Sequence, residues 1–493
     1  MTRAAHAGQS AGARDLRVVV IGAGMSGILA GIKLKEAGFH NLTIYEKAAQ
    51  LGGTWRDNTY PGLSCDVPSH HYAYSFELNP EWSQFFAPGA EIRAYFEKVA
   101  AKHQLPKLIR FSQEVVRAEF RQGRWELTTR EGLQDSADVV IAATGVLHHP
   151  VFPDIAGRER FAGASFHSAR WDHEIPLAGR RIGIIGTGAT GIQIVPALVP
   201  KVQRLTLFQR TPQWILPLPN TPYSEEERNV FRNSHQRMRE TYEFWGKRFQ
   251  NTFARAVIGD REQMQRLEEL CKANLQNVQD PLLRYQLTPD YQVACKRLIM
   301  SDTFYPAIQH PAARLVTQPI EKIEARGVRT ADGELHELDV LVYATGFDGH
   351  AFMRPLEIMG PSGVSLNEAW AAGNQAYRSV AIPGFPNFFT LVGPNSPIGN
   401  FSLILIAELQ FNYIQQLLAP LRAGECRTIE PTADATRRFN LAVKEAMKNT
   451  VWVTGCRSWY QDKHGNAAMW PWSFERFERE MRHPERADFV FSS

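Results

Sequence analysis

Two glycine turns, each set between an apolar run and a segment of helical period, restrict this chain more than any other feature. The first run, Leu16–Ile21, leads into Gly22-Ala23-Gly24-Met25-Ser26-Gly27. The second, Ile182–Ile185, leads into Gly186-Thr187-Gly188-Ala189-Thr190-Gly191. Apolar runs without strict alternation fit strands buried on both faces, as in a parallel sheet under helices. Past the first turn, Ile28, Leu29, Ile32 and Leu34 carry a helical pattern that Gly38 closes. The strand Leu42–Tyr45 then ends at Glu46. Strand, glycine turn, helix, strand and terminal acid make a βαβ unit for a dinucleotide.

Each glycine has a task in such a unit. Gly22 permits the tight turn, Gly24 lets backbone approach a pyrophosphate, and Gly27 lets helix and strand pack closely. The helix N-terminus offers free N–H groups and a positive dipole end to the phosphate, and Glu46 can accept from both ribose hydroxyls. The second unit repeats the plan, with a helix expected from about Ile192 to Leu198, ended by Pro200, and a strand Leu205–Phe208. Its strand leads to Gln209-Arg210-Thr211-Pro212, with no acid. A guanidinium can bind a 2′-phosphate bidentately where a carboxylate would repel it, so this site should prefer NADPH to NADH. Two dinucleotide sites in one chain allow one cofactor to reduce the other. The predicted fold class is α/β, with two Rossmann-like dinucleotide-binding domains and a helical insertion.

Two further strands end alike, Asp138–Gly145 and Asp339–Phe347, both in Ala-Thr-Gly. Such repeats are expected where the chain crosses between two nucleotide-binding domains. From Ser224 to about Gln286 charged residues dominate, and Phe231, Met238, Tyr242, Trp245 and Phe249 keep helical spacing. That stretch reads as a helical insertion whose aromatic stripe serves packing. An apolar strand Phe388–Val392 and a helix from about Phe401 to Leu418 should close the first domain.

Composition narrows the remaining choices. A net charge of +4 over 493 residues, without a dense basic run, does not argue for nucleic acid. No apolar run approaches the roughly 20 residues needed to span a bilayer. The five cysteines, Cys65, Cys271, Cys295, Cys426 and Cys456, are odd in number, widely spaced and without a C-x-x-C pair. This pattern fits a reducing cytoplasm and argues against a metal site, a disulfide framework or a flavin disulfide reductase.

Between the glycine turns lies Phe161-x-Gly163-x-x-x-His167-x-x-x-Trp171-Asp172, and earlier Gly53-x-Trp55-x-x-x-x-Tyr60-Pro61-Gly62-x-x-x-Asp66. Together these motifs resemble type I Baeyer–Villiger monooxygenases, relatives of the flavin-containing monooxygenases. The resemblance runs from about Val18 to Trp470. It implies tightly held FAD, with NADPH and O₂ as cosubstrates. A flavin peroxide would attack a ketone carbonyl, and the tetrahedral adduct would rearrange to an ester or lactone. It also implies an FAD-binding domain in two pieces, residues 15–145 and 348–493. The NADP-binding domain would be 146–347, carrying the helical insertion at about 217–290, and residues 1–14 would be a disordered tail.

Site residues carry over by position. Arg297 matches the family's active-site arginine, a fixed cation that stays charged beside developing negative charge. Asp66 matches the acid that orients it. Ser26, Glu46, Thr54, Trp55, Asp66, Tyr72 and Val115 match positions lining FAD. Gly186, Thr187, Gly188, Ala189, Thr190, Gly191 and Gln193, with Arg210, Thr211 and Lys296, match the NADP site. His167 is expected to link the domains rather than to act as a base. The late loop, Trp452-Val453-Thr454-Gly455-Cys456-Arg457-Ser458-Trp459-Tyr460, departs from the W-x-x-G-A-N-x-x-G-K of cyclic-ketone members. Trp452 still aligns and would contact NADP as the loop closes, whereas Arg457, Trp459 and Tyr460 change the pocket wall toward members acting on aryl or other acyclic ketones. Two other readings remain open: a sulfur- or nitrogen-oxygenating flavoprotein of the sister family, and a redox-responsive binding protein that never oxygenates. Trp171-Asp172 with Arg297 discriminates against the first, and the intact fingerprint with the Asp66/Arg297 pair against the second. The oligomeric state is not legible.

Overall fold

The computed structural model describes residues 14–493 apart from 400, 457, 463, 466 and 467. The expected terminal tail, except Arg14, and Arg457 of the late loop lie outside the described residues. The first glycine turn joins β1 (Val18–Ile21) to α1 (Met25–Glu36), and β2 (Leu42–Tyr45) follows. All eight strand residues are buried, as their apolar runs require. Parallel pairing builds a five-stranded sheet in the order Phe388–Thr390, Val139–Ala142, β1, β2, Ile109–Arg110. A second parallel sheet has the order Ala313–Val316, Arg204–Phe208, Arg181–Ile185, Val340–Tyr343, Ala164–His167.

The two units are built alike in detail. In each, a three-stranded antiparallel meander leads into the strand that ends in Ala-Thr-Gly: Val115–Ala137 before Val139, and Ile320–Glu337 before Val340. That strand pairs with the one before the glycine turn. A Cβ at Gly22 or at Gly186 would run into the carbonyl of Ala143 or Ala344, and both glycines sit at positive φ, +104° and +114°. A Cβ at Gly27 or Gly191 would overlap the carbonyl oxygen of Gly22 or Gly186. The Ala-Thr-Gly repeat is therefore the seat against which each glycine turn closes.

The helical insertion spans Glu225–Gln286 in five helices. It leaves the second domain after a two-residue strand, Ile215–Leu216, and returns through its parallel partner, Ile299–Met300. Although inserted in one domain, it packs largely on the other. Phe253, Val257, Met264 and Cys271 join the core around β1, whereas Leu275 and Leu287 join the second domain's core. The aromatic stripe does pack: Phe231 on His70, Tyr242 on His71, and Trp245 on Phe85.

One expectation from the sequence is overturned. Cys295 and Cys456 form a disulfide, with Cα atoms 6.2 Å apart and 161 residues between them in the chain. That Cα distance is in the range a disulfide requires. Wide spacing concealed the pair because the fold, not the sequence, brings the two segments together. Cys65, Cys271 and Cys426 remain free and buried. Among the described residues no helix is long and apolar enough to cross a membrane.

Candidate active site

Both glycine turns open onto one cavity of about 1260 Å³. This exceeds the usual 300–1,000 Å³ of a single small-ligand pocket, as two dinucleotides and a substrate would need. At its first end lie Gly22, Gly24, Ser26, Glu46, Thr54 and Trp55. Glu46 is buried, and its carboxylate accepts from the backbone N–H of Ala23 and of Ala48, each at 2.9 Å. Arg56 Nη1 donates to the same carboxylate at 2.9 Å. A carboxylate has about four acceptor sites, so about one remains for a ribose hydroxyl. Gly27 lies behind the turn and does not face the cavity. Tyr72, whose hydroxyl accepts from Trp55 Nε1 at 3.2 Å, and Val115 complete the wall. Sequence reasoning missed Arg56, although it directly follows the motif residue Trp55.

At the other end Gly188, Ala189, Thr190 and Gln193 face the same space, and a Cβ at Gly188 would meet nothing within 4 Å. Gly186 and Gly191 serve the turn from behind. Thr187 ties the turn to the strand end, its hydroxyl donating to the Thr211 carbonyl at 2.7 Å. Gln193 joins the domains: it accepts from the Tyr60 hydroxyl at 2.9 Å and donates to the Ser64 carbonyl at 3.1 Å. Arg210 and Lys296 line the cavity, and among the described residues neither forms an ion pair. Burial first, and then the charge of Arg210, push the Lys296 ammonium below its ordinary pKa. Asp290 offsets this only in part, and two cations facing one space suit a phosphate.

Between the two ends lies the expected catalytic pair. Arg297 stands two residues before the Ile299–Met300 strand, and its Nε donates to Asp66 Oδ2 at 3.1 Å while Nη2 makes a second, shorter contact. Burial opposes the guanidinium charge, but Asp66 and the neighbouring Tyr460 outweigh it and hold the pKa above its ordinary value. The cation is therefore permanent. His167 is buried and neutral: burial pulls it down to about 4, and its Nδ1 accepts from Ala169 N at 3.1 Å.

Trp452, expected to contact NADP as the loop closes, stands back from the cavity here. Its ring is fully buried against Tyr460, ring centroids 5.0 Å apart, and does not line the cavity. Ser458, Trp459, Gln461 and Asp462 face the cavity instead. The alignment kept the tryptophan but not the turn chemistry after it, and that chemistry decides which side chain points inward. Phe249 and Phe253 of the insertion also reach the cavity.

The comparisons agree with this geometry. A family model described as flavin-binding monooxygenase-like matches residues 15–357. A Baeyer–Villiger monooxygenase of Streptomyces coelicolor is 42% identical over 484 residues, covering 96% of this chain and 92% of that protein. The chain belongs to the flavin-binding monooxygenase-like family, within its Baeyer–Villiger monooxygenases. An uncharacterised monooxygenase of Mycobacterium tuberculosis is 48% identical over 474 residues, covering 96% of this chain and 95% of that one. The structure of OTEMO in complex with FAD and NADP superposes with a TM-score of 0.88 at 28% identity, covering 97% of this chain and 100% of that chain. The enzyme is thus a flavoprotein monooxygenase with FAD and NADP(H) as its cofactors.

Proposed function

We propose that the enzyme inserts one oxygen atom from O₂ beside a ketone carbonyl, using NADPH and giving an ester or lactone. The Asp66–Arg297 pair, held in the cavity shared by both glycine turns, carries this reading. When bound, the flavin accepts hydride from NADPH and activates O₂. The chain's own residues do the rest. Glu46 and the Gly22–Gly27 turn hold the adenosine and pyrophosphate of FAD within residues 15–145 and 348–493. The Gly186–Gly191 turn, Arg210 and Lys296 hold NADPH on residues 146–347, with the two cations on its 2′-phosphate. Arg297 faces the ketone oxygen and stabilises the negative charge that builds there, without a proton transfer of its own. Asp66 anchors one edge of the guanidinium through Oδ2.

Phe249, Phe253, Leu403 and Trp459 give the cavity an apolar, largely aromatic wall. That wall suits an aryl or other acyclic ketone. Product analysis under ¹⁸O₂ tests the reading, with a panel of cyclic, aryl and aliphatic ketones plus thioanisole. An ester or lactone carrying one ¹⁸O supports it. Sulfoxide alone, with every ketone recovered, would assign the enzyme to sulfur oxygenation and remove the role given to Arg297. Arg297→Ala should abolish ester formation while FAD stays bound.

A further inference from the structure

Arg297 is gripped from two sides, and only one of them is the acid. Nε and Nη2 face Asp66. The remaining nitrogen, Nη1, turns toward Gly399 and the hydroxyl of Tyr460. A Cβ added at Gly399 would lie 2.9 Å from Nη1 and 3.1 Å from the Tyr460 oxygen, so the three groups meet at one point. The guanidinium, a donor only, thus faces the Tyr460 hydroxyl as an acceptor, and its charge opposes the burial that raises the tyrosine's pKa. Tyr460 is fixed in turn: its side chain is 1% exposed and packed between Trp452 and Trp459. Its backbone carbonyl accepts from Ala468 N at 3.1 Å, and Gln461 Nε2 closes the loop onto the Trp452 carbonyl at 2.8 Å.

The same loop is bonded covalently to the same segment. Cys456 stands four residues before Tyr460, and its partner Cys295 stands two residues before Arg297. Both cysteines are buried, and the Thr454 hydroxyl lies 3.6 Å from the Cys295 sulfur. One short disulfide therefore sets the distance between the loop that carries Tyr460 and the turn that carries Arg297.

We propose that Tyr460 is a positioning residue for Arg297, and that the Cys295–Cys456 bond holds it in register, so that oxygen insertion depends on the oxidation state of this cysteine pair. This rests on the reading of Arg297 as the cation at the reacting centre. With the bond intact, the guanidinium is held between Asp66 and Tyr460 and faces the substrate. With the bond reduced, the loop is free to shift and the Tyr460 contact is lost, while Asp66 alone leaves the plane of the guanidinium free to rock. The exchange balances with ordinary thiol reagents. A dithiol gives two electrons and two protons to the Cys295–Cys456 bond and becomes a disulfide itself. Oxidised glutathione reverses this, taking both back and leaving as two thiols.

The test begins with the bond. Thiol titration of the denatured, FAD-loaded protein should find three thiols before reduction and five after, matching the free and paired cysteines. Five without reduction would overturn the proposal. The loaded enzyme is then compared with Tyr460→Phe, Cys456→Ser and dithiothreitol-treated wild type. Two quantities are read: the anaerobic rate at which NADPH bleaches the flavin, and ester formed per NADPH consumed in air. Tyr460→Phe should leave bleaching and the NADPH KM within about threefold and lower the ester yield about tenfold, the scale of one hydrogen bond to a charged group. Dithiothreitol should lower the ester yield of wild type, leave Cys456→Ser no further lowered, and be reversed by oxidised glutathione. If Cys456→Ser does not fold, the reagent pair on wild type tests the same bond. An unchanged ester yield in Tyr460→Phe, or in wild type shown to carry five thiols, would overturn the proposal. Failure of the underlying reading shows separately, as ester made by Arg297→Ala at the wild-type rate.

Discussion

Replacing Arg210 by alanine should weaken the preference for NADPH without abolishing it, since Lys296 remains, and the size of the change follows from where the side chain sits. Arg210 is exposed at the strand end, whereas Lys296 is half-buried across the same cavity, and neither is committed to a carboxylate among the described residues. A hydrogen bond to a charged group contributes about 1.5–3 kcal/mol. Solvent screening puts Arg210 at the low end of that range, about 1.5 kcal/mol, which is roughly tenfold in affinity. Lys296 is less hydrated, so about 2 kcal/mol, or roughly thirtyfold, is expected for Lys296→Ala. The double variant should lose less than the product of the two, because both cations grip one phosphate. The assay is steady-state NADPH and NADH oxidation with a saturating ketone, read as KM for each cofactor at low and high salt. The NADPH KM should rise about tenfold in Arg210→Ala, the NADH KM should stay put, and salt should shrink the difference. An equal rise for both cofactors would show that Arg210 holds the nucleotide by something other than the 2′-phosphate.

Three further outcomes are expected. Glu46→Gln puts an amide NH₂ where the carboxylate accepts from Ala23 or Ala48, stranding one N–H at about 1–3 kcal/mol, so flavin content after gel filtration should fall while the chain stays folded. Gly191→Ala would drive a methyl into the Gly186 carbonyl and push the second helix off its turn; NADPH oxidation should be lost with flavin content unchanged. His70, His71, His148 and His167 are each drawn by burial to about 4, below the ordinary 6.5. The unfolded chain then binds more protons between those limits, so stability is complete above about pH 6.5 and falls as pH drops toward 4; Tm against pH should show a loss there, with proton uptake on unfolding.

Both βαβ units could be read from the sequence because each is local: glycines, apolar runs and strand ends lie within about thirty residues of one another. The start of the helical stretch was legible too, since Ser224 caps its first helix with a capping box that includes Glu227. What escaped was nonlocal. The insertion's attachment to the first domain rests on single contacts such as His71 on Tyr242, which no periodicity announces. The Cys295–Cys456 pair joins segments 161 residues apart. That Trp452 stands back from the cavity could not be read either, because a motif fixes a residue type and not the direction a loop turns it. Arg297 and Asp66 were reached only through the family resemblance, since a lone Lys-Arg pair carries no chemistry by itself.

The insertion's position over the first domain makes a further prediction. The helix His235–Asn251 meets that domain where Gly246 abuts the ring of His71: a Cβ there would lie 2.7 Å from Cε1. That ring has little room to yield. Its Nδ1 is hydrogen-bonded to the Tyr242 carbonyl at 3.1 Å, its faces pack on Tyr242, and the next residue, Tyr72, lines the cavity. Gly246→Ala must therefore lift the helix, and overpacking of this kind costs about 1–3 kcal/mol. Phe249 lies one turn further along and faces the cavity, so lifting the helix withdraws an aromatic wall from the substrate. Arg210 and the Gly186–Gly191 turn belong to the second domain's own sheet and are left in place. The ketone KM should then rise several-fold while the NADPH KM stays constant, with a lower Tm. A lowered Tm with an unchanged ketone KM would mean that the insertion bends at Gly246 without moving Phe249, and that this helix is not what shapes the substrate wall.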